Sequence, residues 1–235
     1  MDRPQDATVS TQPGGPVWLI ELLGDGARPM CVRPPLNAPA TDAAHEAIDA
    51  QSLWIATAKL GAELVLWGEV VGARAQRHPW AGAAISAFPD AETLQAARDR
   101  RLCRAEDRAA GPRWEFVGSP VETPPTLQAE PTHDLDHVVN LVFLGEAEPD
   151  AKEQFLESTE GLAAAAGAER EAWFEVAEQD TDNDAPFSEV FVSRYPSVEA
   201  WWGLHKSEAW APHSTELEAH MAAFTDVLVQ PHLNR

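Results

Sequence analysis

The apolar positions of this chain fall into short runs separated by polar turns. His137-Val-Val-Asn-Leu-Val-Phe-Leu144 is apolar on both alternating sets of positions, which predicts a strand buried on both faces. Pro149-Asp150 opens a helix whose Phe155, Leu156, Thr159, Leu162, Ala163 and Ala166 recur on one side, and Gly167 stops it. Glu169 to Ala177 and Phe187 to Tyr195 read as strands on either side of the polar turn Gln179 to Pro186. Ser197 is placed to cap a helix running through Trp201, Trp202 and Leu204. Pro212 breaks that helix from a second piece at about Ser214 to Ala223, and Thr225 to Gln230 forms a last strand.

The first half repeats this order. Val17 to Leu23 is a strand, Asp42 to Leu60 a helix, and Glu63 to Gly72 and Trp80 to Phe88 two more strands. Asp90 caps a helix to about Arg108, and Arg113 to Gly118 closes the set. The repetition is also literal. Gly61-Ala-Glu and Trp67-x-Glu-Val match Gly167-Ala-Glu and Trp173-x-Glu-Val, and Phe88-Pro-x-x-Glu matches Tyr195-Pro-x-x-Glu. Gly to Pro is 28 residues in the first copy and 29 in the second, a constancy that points to internal duplication. The order β-α-β-β-α-β in each copy is that of a ferredoxin-like unit, which covers only one sheet face with helices. Strands apolar on both faces need the other face covered too. The predicted fold is therefore α+β: two tandem ferredoxin-like units packed sheet to sheet as a pseudo-symmetric α+β barrel. The expected boundaries are a disordered lead-in over 1–15, the first unit over 16–119, a Pro-rich linker over 120–135 and the second unit over 136–235. Pro29 to Pro39 is an extra loop of the first unit, in the position of a flap.

Charge changes the list of partners. Residues 1–125 carry a net −4 and residues 126–235 a net −17, a field that repels phosphate backbones and argues against nucleic acid. An Arg-rich helix (Arg98, Arg100, Arg101, Arg104, Arg108) could face acidic surface in an assembly. No run reaches the roughly 18 apolar residues of a membrane span, and Met1 to Ser10 has no secretory pattern, so a cytoplasmic protein is expected. Cys31 and Cys103 suggest neither a disulfide framework nor a metal site, and no phosphate loop or nucleophile elbow is present. Self-association fits a barrel, although one chain could complete it alone.

Candidate chemistry gathers in the second half. His205, His213 and His220 lie in one segment, and a neutral imidazole can take or give a proton near physiological pH. Pro212 between His205 and His213 disfavours a regular metal-binding face, and His133-Asp-Leu-Asp-His137 sits at a domain entrance, so no metal is assigned. Asn140 is the polar exception in an apolar strand, and a buried amide needs a partner, structural or ligand. Trp201 and Trp202 cannot both face the core, and with Trp210 they are concentrated around the helix that carries His205. Tyr195 shares a strand face with Ser193 and Phe191, whereas Arg194 sits with Val190 and Val192 and needs an acid, with Glu175 as the candidate.

The stretch Val192-Ser-Arg-Tyr-Pro-Ser-Val-Glu-Ala-Trp-Trp-Gly-Leu-His-Lys-Ser-Glu-Ala-Trp210 resembles the strand-turn-helix signature of the dimeric α+β barrel superfamily, most closely its antibiotic-biosynthesis-monooxygenase branch. Tyr195, Ser197, Glu199, Ala200, His205, Ser207 and Trp210 follow that pattern in order, while the first copy follows it only at Phe88, Ala91 and Glu92. The resemblance implies a small apolar or aromatic ligand, bound in a barrel pocket of the second unit and oxidised by dioxygen without a separate cofactor. His205 or His213 would be the base and Asn140 and Arg194 the orienting groups, with Tyr195, Trp201, Trp202 and Trp210 as walls. A non-catalytic ligand-binding or assembly protein is the rival reading. Haem is a third, because fused chlorite-dismutase-like members bind it and haem-degrading members use an Asn, a Trp and a His, as Asn140, Trp201 or Trp202, and His213 would here.

Overall fold

The structure, a computed structural model, describes residues 15–25, 29–31, 57–73, 80–102, 113–121, 137–181, 186–213, 215 and 224–231. Eight antiparallel strands close into one barrel: β1 (Val17–Gly24), β2 (Glu63–Ala73), β3 (Trp80–Phe88), β4 (Arg113–Pro120), β5 (Val138–Gly145), β6 (Glu169–Asp180), β7 (Phe187–Tyr195) and β8 (Phe224–Pro231). Around the barrel they run β1-β3-β2-β8-β5-β7-β6-β4. Three described helices lie outside: α1 (Ala91–Leu102), α2 (Pro149–Ala165) and α3 (Val198–His205). Every predicted strand forms, most of them one to three residues longer than the pattern indicated. The predicted helix over 42–60 is described only at 57–60, and the linker segment 122–136, most of the flap and the piece over 216–223 lie outside the described residues.

Each half orders its strands alike, β4-β1-β3-β2 and β8-β5-β7-β6. The registers coincide as well. Val17 pairs with Phe88 as Val138 does with Tyr195, and Leu19 pairs with Ser86 as Asn140 does with Ser193. A bulge falls between Leu64 and Leu66 and again between Arg170 and Ala172. The halves do not merely face one another; they join edge to edge. β2 meets β8 with Gly68 opposite Pro231, and β6 meets β4 with Phe174 opposite Pro120. At the first seam a Cβ on Gly68 would lie 2.2 Å from the Gln230 carbonyl oxygen, so only glycine permits that approach. Gly61 and Gly167 adopt φ +79° and +80°, each against the matching proline, Pro89 or Pro196, which explains why both glycines recur at the helix-to-strand turns.

The strands are apolar on both faces because each face meets a different layer. Trp18, Ile20, Leu22, Trp114, Phe116, Leu141, Phe143, Phe174, Val190 and Val227 fill the barrel interior from both halves. Phe116 of the first half stands 4.7 Å from Phe143 and 5.6 Å from Phe187 of the second, and Trp114 stands 5.8 Å from Phe187. Eight strands leave an interior that side chains can just fill, and aromatic pairs here add about 0.5–1.5 kcal/mol each beyond burial. The outer face of each half forms its own cluster beneath its own helices, around Leu19, Phe88 and Leu94 in the first and Phe191, Tyr195 and Trp201 in the second.

Arg98 on α1 finds its acids within the chain. It lies 3.4 Å from Glu115 and 3.2 Å from Glu178, the latter across the β4–β6 seam. The other four arginines of the expected assembly face lie outside the described side chains.

Candidate active site

The cavity of interest is not in the barrel interior. It lies on the outer face of the second half, between β5, β7 and β8 beneath and α2 and α3 above, and encloses about 180 Å³. Among the described residues the interior is packed by ten or more large side chains, and this cavity lies on the opposite face of the sheet, under the helices.

Local sequence explains each wall. Pro149 at the first turn and Asp150 near the positive helix end start α2, which then presents Phe155, Leu156, Thr159 and Ala163 to the cavity. Thr159 turns its hydroxyl back onto the Phe155 carbonyl at 2.7 Å, so that wall is largely apolar. Ser197 accepts from the Ala200 amide at 3.2 Å and fixes the start of α3, whose last residue is His205. From the sheet come Val142, Leu144 and Phe191, and at the polar end Asn140, Ser193, Tyr195 and Asp226. Glu160 and Arg170, 3.6 Å apart and partly exposed, also line the space.

His205 is held from two sides. Its Nδ1 stands 2.8 Å from the Trp201 carbonyl, which can only accept, so Nδ1 carries hydrogen. Its Nε2 faces Asp226 Oδ2 at 3.6 Å, and both side chains are all but sealed from solvent, at 4% and 1%. A proton on Nε2 makes this an ion pair; without it two lone pairs face each other. A carboxylate this deep needs a positive partner, because an unpaired buried charge costs several kcal/mol. The rings of Trp201 and Trp210 flank His205 at 4.1 and 4.5 Å and hold its plane. Tyr195 is pushed up to about 12, first by burial and then by the negative charge of Asp226, so its hydroxyl keeps its proton at physiological pH.

Asn140 is 3% exposed, and its Oδ1 has no hydrogen-bond partner. Natural proteins rarely leave a buried acceptor unpaired. In the first half the position of matching register holds Leu19, fully buried. Barrel packing therefore does not require an amide there.

Of the residues expected from sequence, His205, Asn140, Tyr195 and Trp210 meet at the cavity. Trp201 is fully buried behind His205 rather than on the cavity wall, and Trp202 packs on its outer side with Lys206 5.0 Å above its ring. His213 is 3.1 Å from Ser158 Oγ on α2 and ties down that helix without lining the space. Arg194 lies on the other strand face, 2.9 Å from both Glu169 and Glu171, so neither the cavity nor Glu175 is its partner. Burial holds the Glu171 carboxyl above the usual range, with Arg194 acting against that. His133 and His220 lie outside the described residues. The residue that sequence reasoning missed is Asp226. Its signal was available, since it is the one charge in the strand Phe224–Pro231.

Among the described residues, those around the cavity offer no free haem ligand. The α2 wall offers no imidazole or thiol, and His205 has one nitrogen on a carbonyl and the other on Asp226. About 180 Å³ suits one or two fused rings, since a cavity near 150 Å³ takes benzene, and a tetrapyrrole is far larger. Among the described residues there is also no cluster of three or more metal-ligating side chains, and no helix is long and apolar enough to cross a membrane.

No protein-family model matches the chain, and no curated protein sequence matches it. Solved structures do. An anthrone oxidase-like protein is 13% identical over 95% of this chain and 94% of its own, with a TM-score of 0.52. A chlorite dismutase variant from Candidatus Nitrospira defluvii is 9% identical over 93% and 92%, at 0.51. A heme-binding protein from Thermus thermophilus is 13% identical over 92% and 91%, at 0.48. At such identities the likeness is one of fold, and it places the chain among α+β barrel proteins. Within that class the described chain is an eight-stranded barrel with a small, mostly apolar cavity ending in Asn140, Asp226 and His205.

Proposed function

We propose that this chain is a tandem duplication of a ferredoxin-like unit that binds a small apolar or aromatic molecule in the cavity under α2 and α3. We further propose that it oxidises that molecule with dioxygen and no separate cofactor, as an antibiotic-biosynthesis-type monooxygenase. The observation that carries the binding step is the buried, unpartnered Asn140 Oδ1 on the wall of a mostly apolar cavity. Matching strand order and register in the two halves support the duplication. The resemblance of Val192 to Trp210 and the likeness in fold to an anthrone oxidase-like protein support the oxidation.

The roles follow from position. Asn140 orients the molecule, Tyr195 and Trp210 border it, and the His205–Asp226 pair is the proton-transfer couple. Asp226 is the proton acceptor of that couple, because Nε2 of His205 is turned toward it. His205 positions Asp226; the proton ends on the Asp226 carboxylate and the negative charge stays on the ligand oxygen. Removing a proton from an activated hydroxyl raises the electron density of its ring, which is what electron transfer to dioxygen requires.

The reading of a ligand-binding or assembly protein without turnover has one specific observation behind it. At the places of matching register, the first half holds Arg98 and Glu115 where the second holds His205 and Asp226, again as a paired cation and acid. Such a pair can be purely architectural. Native mass spectrometry of the gently purified full chain, then denaturing mass spectrometry, tests binding, with oxygen uptake on the released molecule testing turnover. A small added mass lost on denaturation supports the proposal, and a haem mass overturns it. An empty protein that also binds neither toluene nor phenol removes the cavity reading altogether.

A further inference from the structure

We infer that the molecule taken by this cavity is a neutral aromatic of one or two rings whose buried end is a hydrogen-bond donor, an O–H or N–H, seated on Asn140 Oδ1 beside Asp226. The inference rests on the cavity being a binding site and specifies what it recognises. Four observations carry it.

The first is the free acceptor. Asn140 Oδ1 is buried, has no partner within the chain and borders the cavity, so a donor on a molecule entering the cavity can pair with it. The second is the comparison within the molecule. Leu19 stands at the same register position of β1, fully buried under α1, so an apolar side chain is what this fold accepts there. The amide is a departure confined to the half that holds the cavity. The third is sign. The two lining cations each face an acid, His205 with Asp226 and Arg170 with Glu160, both at 3.6 Å, so neither is left to hold a carboxylate or phosphate on the ligand. The fourth is size and lining: about 180 Å³ bounded by Val142, Leu144, Phe155, Leu156, Phe191 and Trp210, which matches a flat ring system of at most two fused rings.

A donor-ended ring is thus distinguished from its methyl isostere by one hydrogen bond made and, for the isostere, one buried acceptor left unpaired. A site built in this way discriminates by at least about tenfold. An acceptor-ended ring gains nothing, and an anion loses.

The test uses isosteric probes on the full chain, with quenching of tryptophan fluorescence and calorimetry as readouts: phenol against toluene, 2-naphthol against 2-methylnaphthalene, and anisole and benzoate as acceptor and anion. Phenol and 2-naphthol are expected to bind about tenfold or more tighter than their methyl partners. Asn140→Leu is expected to reduce that ratio to about one. Toluene binding as tightly as phenol overturns the inference and leaves the cavity reading standing. Anisole or benzoate as the best ligand overturns it as well. If no ring compound binds, the inference and the proposed binding function fall together. Because the probe series is read on the unaltered protein, a poorly folding variant does not decide the outcome.

Discussion

Replacing Asn140 by leucine should make the protein more stable. The buried amide has an acceptor without a partner, a situation that costs about 1–3 kcal/mol in proteins. Leucine removes that cost and adds apolar burial of up to about 1.5–3 kcal/mol, against which stand about 1 kcal/mol for any bond of the amide nitrogen and some crowding. Crowding is small because the side chain borders an open volume of about 180 Å³. The net expectation is a gain of about 1–2 kcal/mol, which for a chain of this length raises the melting temperature by roughly 2–8 °C. Urea unfolding followed by tryptophan fluorescence checks it, with a higher midpoint and an unchanged slope as the result. The reciprocal substitution supplies the control. Leu19→Asn puts an amide under α1 at the matching position and should cost about 3 kcal/mol or more. If Asn140→Leu instead destabilises by more than about 1 kcal/mol at constant slope, the amide is an architectural element. The argument that its acceptor is kept for a ligand then fails.

Tyr195 is the only tyrosine, so tyrosinate absorbance reads it alone. Its midpoint should lie near 12 and fall in Asp226→Asn while staying above 10.0, because burial outweighs the charge of Asp226. The proton is held more tightly in the folded state, so stability is intact below about 10 and declines by about 2–3 kcal/mol as pH rises through about 12; a midpoint unmoved by Asp226→Asn would separate the two groups. Phe116→Ala, at the meeting of both halves, should cost about 3–5 kcal/mol and leave a single unfolding transition, whereas two transitions would show that the halves fold independently. Gly68→Ala should cost about 3 kcal/mol or more, because its Cβ would meet the Gln230 carbonyl at 2.2 Å, while Gly72→Ala, with its nearest neighbour at 3.5 Å, should be far milder in the same unfolding assay.

Much of the fold was legible because it depends on local rules. The two-faced apolar run of β5, the left-handed glycines Gly61 and Gly167, and the Ser197 cap all appear where pattern and turn chemistry place them. His205 and Asn140 were legible as exceptions to that pattern. Asp226 was an exception of the same kind, but its pairing with His205 was not legible, because it depends on β8 lying beside β5 and under α3, which no periodicity reveals. Arg194 failed for a related reason. Its acid was sought at Glu175, but that residue pairs in register with Glu189, and the bulge between Arg170 and Ala172 brings both Glu169 and Glu171 to the arginine. The position of the cavity was equally hidden. A strand apolar on both faces does not say which face the other half will fill, and here the shared aromatic interior closes one and leaves space on the other.

The comparison of the two halves also bears on what the second one is for. A basic residue near the end of the outer helix faces an acid on the fourth strand in both: Arg98 with Glu115 at 3.4 Å, His205 with Asp226 at 3.6 Å. Arginine keeps its charge at any pH a cell reaches, so the first pair is fixed and can only hold α1 to its sheet. Histidine can lose its charge near neutrality, so the second pair holds α3 in the same way but can also pass a proton. Among the differences between the two outer faces are His205 for Arg98, Asp226 for Glu115 and Asn140 for Leu19, beside others such as Val142 for the buried Glu21 and Trp201 for Leu94. The histidine and the amide bring a cation that can discharge and an unpaired acceptor to one cavity. A change made only for stability would have kept Leu19's solution, which buries cleanly, and Arg98's, which cannot discharge. Where the first half has a fixed ion pair and a buried leucine, the second has a pair that can discharge and an amide, side by side at one cavity, which is the combination the proposed binding site calls for.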